Sequence, residues 1–451
     1  MSQNNPSLFT KYNLNLLNAT IVKYIPLVLL FTAPLFIFPS PLRALALLLI
    51  PLLWWMQKRE KGYFIRRTPL DWPILILLLL VLVSLFVIFD LNFSLGKLTG
   101  VLFHIAVFYA VIETVKTRRG LNRSLALYLF LSLTVVGLGI IGTKWPLKVG
   151  TIAVITNRIP TLLEGLPGAA QGISANQLAG TLLWFFPLSL SIAWTAKRCY
   201  QKGDIVVTYA YLLWPLTSII GVLFVLTQSR GGWLGGICAL AFFGSMLYGW
   251  VRWLGGITFI GLIITGFSLD WPFISQIMNS DASEATTLGG LGALEFRLEL
   301  WRAGLWGVAD FPLTGMGLGT FREVAPIMYP LTIPPSVDVA HAHNQFLQIA
   351  LDLGLLGLIA YLAMWLIIAA LLFQVMCRPI DPFIKSVALG ISSCFVGYFV
   401  YALADIVALG AKPGIFWWWL LALSIGLYQA NKDETYSMRI SVSQTAKDTA
   451  I

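Results

Sequence analysis

Three short polar stretches hold most of the side chains that could do chemistry. The first is Thr227-Gln-Ser-Arg230-Gly-Gly-Trp233. The second is Glu295-Phe-Arg297-Leu-Glu-Leu-Trp301-Arg302, followed by Phe311-Pro-Leu-Thr-Gly315-Met-Gly317-Leu-Gly319-Thr-Phe321. The third is His341-Ala-His343-Asn344-Gln-Phe. Arg230 has no acidic residue between positions 205 and 269 to pair with. An arginine beside apolar helices either reaches its head to the lipid surface or meets an anion, and the flanking Ser229, Gly231 and Gly232 leave room for a ligand. Arg297 has no acid at helical spacing either, so a stacked Trp301 or an anionic ligand are its two outlets. Arg302 has Glu299 three residues before it, the spacing of a solvated ion pair, with substrate binding as its other use.

Two of the three histidines lie in the last stretch. A His-x-His pair can ligate zinc, but a third ligand is required, and the remaining histidine, His104, falls inside an apolar run. The pair can also be ordinary loop residues, or can supply a general base. Asn344 and Gln345 open a long helix, whose N-terminal dipole favours a neutral, proton-accepting imidazole at His343. Gly315-x-Gly317-x-Gly319 follows no strand and opens no βαβ unit, so it reads as a tight turn and not as a nucleotide loop. His104, Glu113, Asp352 and Asp405 lie in or at the edge of apolar runs and read as polar links between helices. The expected site is therefore Arg230, Arg297 and His343, with His341, Asn344 and Arg302 in binding roles, no metal and no cofactor.

These residues need a scaffold, and the composition names its class. The chain is 58% hydrophobic and 11% charged, with a mean hydropathy of +0.81. Soluble domains carry about 25% charged residues. The apolar runs are continuous and near 20 residues long, which excludes a β-barrel and predicts an all-α polytopic membrane protein. We place about twelve spans at Ile21–Phe38, Leu42–Met56, Trp72–Phe89, Val101–Val115, Leu125–Ile141, Gln177–Ala196, Ile205–Leu226, Trp233–Trp250, Leu254–Phe267, Gln345–Phe373, Ile384–Leu409 and Ile415–Tyr428. A net charge of +10 fits the positive-inside rule without any nucleic acid partner. Most of the 30 Lys and Arg residues fall in one alternating set of connections, which puts both termini in the cytoplasm. The Thr143–Ala175 loop and the insert 270–343 then face outward. The whole chain, 1–451, reads as one integral membrane domain with a polar tail at 431–451. The N-terminus lacks signal-peptide features, and the first span is expected to stay as an anchor. The four cysteines show no metal-ligand spacing and no disulfide is expected.

Taken together, the Ser-Arg-Gly-Gly block, the Arg297-Leu-Glu-Leu-Trp301 and glycine-turn block, and Ala340-His-Ala-His343-Asn344-Gln-Phe-Leu-Gln-Ile-Ala-Leu-Asp-Leu-Gly354 resemble the O-antigen ligase/polymerase (Wzy_C) family. The resemblance is specific over Gly221 to Tyr361. It implies a GT-C-like membrane fold and a metal-independent, inverting glycosyltransferase of lipopolysaccharide or polysaccharide biosynthesis. The implied donor is a glycan on undecaprenyl pyrophosphate, transferred to a lipid or glycan acceptor at the outer face of the plasma membrane. By the same resemblance Arg230 and Arg297 are pyrophosphate ligands and His343 is the catalytic histidine. The family also contains repeat-unit polymerases, and a cyanobacterial branch to which bicarbonate transport has been ascribed. The latter is resembled by Thr68-Pro-Leu-Asp71 and the His-Ala-His-Asn block.

Overall fold

The computed structural model describes residues 17–38, 42–165, 172–199, 212–252, 292–333, 339–378, 381–407 and 409–430. The expected span Leu254–Phe267, the first part of the insert (270–291) and the tail 431–451 lie outside the described residues. The helices are α1 (Ile25–Ile37), α2 (Arg43–Ala46), α3 (Leu49–Lys61), α4 (Asp71–Ser84), α5 (Leu91–Thr114), α6 (Arg118–Gly142), α7 (Gly150–Thr156), α8 (Ala175–Leu182), α9 (Phe186–Cys199), α10 (Leu213–Leu226), α11 (Arg230–Leu247), α12 (Gly292–Asp310), α13 (Phe321–Met328), α14 (Gln345–Cys377) and α15 (Pro382–Ala402), followed by α16 (Gly414–Ala430). Two parallel two-residue strands, β1 (Thr143–Lys144) and β2 (Ile173–Ser174), close the 143–175 loop.

Among the described residues five helices are long and apolar enough to cross a membrane, or six if a 75° bent pair near the N-terminus is one span. Three shorter apolar helices, α4, α10 and α16, add to them. The expected Leu42–Met56 span is instead divided into α2 and α3. The Ile384–Leu409 span also needs correction. Its helix ends at Ala402, with Leu403 as C-cap, so Asp405 sits in a connection and not within a span.

The last helix lies at the centre of the bundle. Trp417, Trp418 and Trp419 on α16 are fully buried, and the Trp419 indole donates to Ser124 Oγ on α6 at 2.9 Å. Helices α11 and α15 cross at a pair of glycines. A Cβ at Gly235 would meet the Gly397 carbonyl at 2.5 Å, and one at Gly397 would meet the Gly235 carbonyl at 2.8 Å. Small residues permit such close approach where lipid supplies no hydrophobic drive between helices.

Helix α14 is broken at Gly354, whose φ of 72° is left-handed. In an unbroken helix the Leu355 N–H would donate to the Leu351 carbonyl. Here both groups turn to the connection that follows α12. Leu355 N donates to Pro312 O at 2.8 Å, and Met316 N donates to Leu351 O at 2.6 Å. The Gly315-x-Gly317-x-Gly319 segment forms this wedge, with φ of 67°, 98° and 75°. The reading as a tight turn holds, and it explains why each of the three is glycine. Part of the insert is thus helical and built into the bundle, with its own apolar cluster around Leu300, Ala303, Phe321 and Leu351.

Asp352 sits beside the break and is 1% exposed. Its carboxylate accepts from Lys97 Nζ on α5 at 2.6 Å, from Gly319 N at 3.0 Å and from Gln348 Nε2 at 2.9 Å. On the other face, Glu113 pairs with Lys61 at 2.7 Å and Lys116 at 2.5 Å, and Arg118 pairs with Asp381 at 3.1 Å. These pairs bring together three connections that charge bias assigns to one side.

Replacing Gly354 by Ala is expected to destabilise the protein. The left-handed backbone alone costs about 1–3 kcal/mol, and the new Cβ would run into the Leu313 carbonyl. Gly137→Ala is the control, because a Cβ there meets nothing within 4 Å and helix propensity favours Ala by about 1 kcal/mol. Thermal unfolding in nanodiscs should show a lower midpoint for Gly354→Ala and an unchanged or higher one for Gly137→Ala.

Candidate active site

The Thr227–Arg230 turn joins α10 to α11. Thr227 Oγ1 donates back to Phe224 O at 2.6 Å, and Ser229 Oγ caps α11 by accepting from Gly232 N at 3.3 Å. Gln228 adopts a left-handed φ of 50°, and its carboxamide holds the neighbouring 143–165 segment. Its Oε1 accepts from Lys148 N at 2.9 Å and Val149 N at 2.7 Å, and its Nε2 donates to Pro146 O at 2.5 Å. This clamp fixes Lys148 near Arg230 and Arg297. Burial lowers the Lys148 ammonium from its usual value, and the two guanidiniums lower it further, against the pull of Asp405. Arg230 also occupies the first position of α11, where the helix dipole adds positive potential. The arrangement concentrates cationic charge that an anion would relieve.

The histidine loop is fixed from both sides. Asn344 Oδ1 caps α14, accepting from Phe346 N and Leu347 N at 3.0 Å each, while its Nδ2 donates to Leu403 O at 3.1 Å. Gln348 Oε1 accepts from Ala342 N at 2.9 Å, which ties the loop to the Asp352 network. His343 has a left-handed φ of 47°, an uncommon conformation that occurs preferentially at functional sites. Its N–H donates to His341 Nδ1 at 3.2 Å, and the two rings lie 4.2 Å apart. Phe296 on α12, next to Arg297, meets the His343 ring edge-on at 5.8 Å.

Asp405 completes the group. Its Oδ1 lies 3.5 Å from His343 Nδ1 and 3.9 Å from His341 Nε2. Burial by itself would raise this carboxyl, but His343 and His341 together with the Ile406 amide hold it below the ordinary carboxylate value. A carboxylate facing Nδ1 favours a proton there and leaves Nε2 as the basic nitrogen. Burial, and then the neighbouring His343, push His341 down to about 4. His341 is therefore neutral near pH 7. Its Nδ1 already accepts a hydrogen bond, so its proton is on Nε2, toward Asp405.

The structure brings Arg230, Arg297, His341 and His343 into one region. It gives Asn344 a cap and a bridge to Leu403 as its contacts. Arg302 is exposed, and Glu299, its expected partner, holds Thr332 through the backbone N–H and the hydroxyl. Two residues were missed as members of the site. Asp405 had been placed in a span as a polar link, although an acid just past a helix end was the available signal. Lys148 was hidden in a long loop, and nothing local marks it. Contrary to the sequence expectation, the histidine pair has a third ligand-type neighbour in Asp405. The ligand-type atoms of His341, His343 and Asp405 all lie within 4.8 Å of one another, a set able to hold either a proton or a divalent cation.

Fold and site together define a multi-pass helical membrane protein with grouped cations beside a histidine–carboxylate pair. Residues 215–362 match the family model Wzy_C, described as O-antigen ligase. Comparison with curated proteins finds no match. The match supports a membrane glycosyltransferase of the O-antigen ligase/polymerase type. It spans Arg230, Arg297 and the histidine loop, while Lys148 and Asp405 lie outside it.

The depressed His341 value has a consequence for stability. The unfolded chain binds a proton at His341 near the ordinary histidine value of 6.5, whereas the folded chain does so only near 4. Between those values the unfolded state binds more protons, so stability falls as pH drops through that window. The loss is on the order of 1–3 kcal/mol. Wild type is expected to lose thermal stability from pH 6.5 to 4.5 in nanodiscs, and His341→Gln is expected to lose less.

Proposed function

We propose that this protein transfers a glycan from a polyprenyl pyrophosphate carrier, of the undecaprenyl kind, to a lipid or glycan acceptor. Transfer takes place at the outer face of the plasma membrane, with both termini in the cytoplasm. The observation that carries the reading is the grouping of Arg230, Arg297 and Lys148 beside the His343–Asp405 pair in a chain with an O-antigen ligase domain. Arg230 and Arg297 hold the donor's pyrophosphate, for which a planar guanidinium fork is suited, and Lys148 adds charge. The acceptor hydroxyl oxygen attacks the anomeric carbon. Its proton passes to His343 Nε2 while Asp405 steadies the resulting imidazolium through Nδ1. The bond from the anomeric carbon to the pyrophosphate oxygen breaks, and the pyrophosphate leaves with the electron pair. A single displacement of this kind inverts the anomeric configuration. The arginines neutralise the leaving group, so the chemistry requires no metal.

A lipid-linked donor also needs an apolar berth. A cavity of about 490 Å³ lies between α11, α14 and α15, lined by Phe242, Trp365, Phe373, Phe395 and Phe399 among others. The Phe399 ring is 5.2 Å from Phe346, two residues beyond Asn344. This apolar groove suits the polyprenyl chain.

Reconstitution with a polyprenyl-pyrophosphate glycan and an acceptor tests the assignment. His343→Ala should slow transfer by roughly 10²–10⁴-fold, the usual contribution of a general base, and should still bind donor. Arg230→Lys keeps the charge but loses the fork, and should reduce turnover at an unchanged fold. A His343→Ala variant as fast as wild type would remove the base assignment. Absence of any glycosylated product, together with bicarbonate accumulation in sealed vesicles, would replace the reading by transport.

Chelators should leave transfer unchanged. Activity lost to a chelator and restored by a divalent ion would reassign His341, His343 and Asp405 as metal ligands.

A further inference from the structure

A second, strongly polar cavity adjoins the histidine loop, and the proposed function assigns it no role. Its volume is about 530 Å³, within the rough 300–1,000 Å³ range of small-molecule sites. It lies between α5, the start of α14 and the 406–412 connection. Four cations, Arg43, Lys97, Arg322 and Lys412, line it with a single carboxylate, Asp352. That carboxylate is already bonded to Lys97.

The α5 wall is built for space. Asn92, Gly96, Gly100 and His104 recur every four residues, on one helical face, and all four line the cavity. Gly100 lets the 409–412 loop pack directly on α5, because a Cβ there would overlap the Gly410 carbonyl. From Asn92 to His104 the helix descends about 18 Å at 1.5 Å per residue, so the cavity reaches well into the bundle. At that depth His104 is fully buried, and neither ring nitrogen has a hydrogen-bond partner among the described residues. Arg43 is 7% exposed, and its Nε is likewise buried without a partner among the described residues. These nitrogens lie closed behind the cavity wall, so the polar groups that face the cavity are the exposed ends of its cations and amides.

The cavity touches the reaction site. Gln345 and Ile406 line it, and they neighbour Asn344 and Asp405 in sequence. Gln348, also in its wall, holds the Ala342 N–H of the histidine loop. The cavity thus shares Gln348 with the frame of the histidine loop.

We propose that this cavity binds an acidic glycosyl unit of the acceptor, one bearing a carboxylate or phosphate, with Arg43, Lys97 and Lys412 holding the anionic group and Gln345 and Asn92 available to its hydroxyls. This specificity rests on the glycosyl-transfer reading and names the acceptor's chemistry. Cations around one neutralised carboxylate select a negative charge.

The test is binding to the full chain in phosphatidylcholine nanodiscs. The probes are glucuronate, glucose 6-phosphate, glucose and inorganic phosphate, with and without added phosphatidylglycerol. Glucuronate and glucose 6-phosphate are expected to bind at least about tenfold more tightly than glucose, a difference of about 1.4 kcal/mol. Arg43→Gln, and separately the rim variant Lys412→Gln, should shrink that preference, while His343→Ala should retain it though it fails in transfer. Glucose binding as tightly as glucuronate would overturn the proposal. So would a preference unchanged in both variants. Inorganic phosphate binding as tightly as the acidic sugars would make this a small-anion site. Displacement of the sugars by phosphatidylglycerol would make it a headgroup site. Failure of transfer with acidic-sugar binding intact would count against the transferase reading alone.

Discussion

The buried carboxylate of Asp352 is the interaction on which most of the architecture depends. Three groups from three parts of the chain converge on it: Lys97 from α5, the Gly319 amide from the glycine turn, and Gln348 from α14. An isolated carboxylate in this position would be very costly, and only full satisfaction makes it tolerable. Satisfying it fixes the register of α5 against α14 and seats the glycine turn. Through the other end of Gln348 it also fixes the backbone of the histidine loop. The break at Gly354 lies two residues away, so the same short segment holds both the wedge and the anchor.

The distribution of cations follows a second constraint. Most basic residues lie in the connections that charge bias assigns to the cytoplasm, and several are neutralised there by Glu113 and Asp381. Seven of the ten expected on the other face fall into two groups. Lys148, Arg230 and Arg297 act on one another near the histidine loop. Arg43, Lys97, Arg322 and Lys412 surround the polar cavity beside it. Groups in which cations outnumber the neighbouring carboxylates are suited to binding anions.

The histidine loop shows how geometry sets chemical roles for two similar side chains. His341 is the more constrained: its Nδ1 accepts the His343 N–H, and burial keeps it neutral. His343 takes the strained backbone conformation and turns Nδ1 toward Asp405. The strain is held in place by the Asn344 cap, the Asn344–Leu403 bridge and Gln348. One histidine thus serves as part of the frame, and the other faces the site.

The helical membrane class and the role of the glycine turn were legible in the sequence, because apolar run length and glycine punctuation are local properties. Arg230, Arg297 and His343 stood out for a similar reason: they are polar residues in a largely apolar chain, Arg230 has no acidic residue nearby in sequence, and Arg297 has none at helical spacing. Asp405 and Lys148 were not legible as members of the site. Asp405 enters it only because α15 stops at Ala402 and the following connection turns back onto the histidine loop. Lys148 enters it because Gln228, 80 residues away, captures its backbone N–H. The break in α14 was also invisible, since Gly354 in an apolar run reads as an ordinary helical glycine until the Pro312–Met316 segment takes over its hydrogen bonds. What the sequence determined was the charge and polarity of each segment. Which segments meet was decided by tertiary packing, because the pairing of buried polar groups across distant helices leaves no signal at short range.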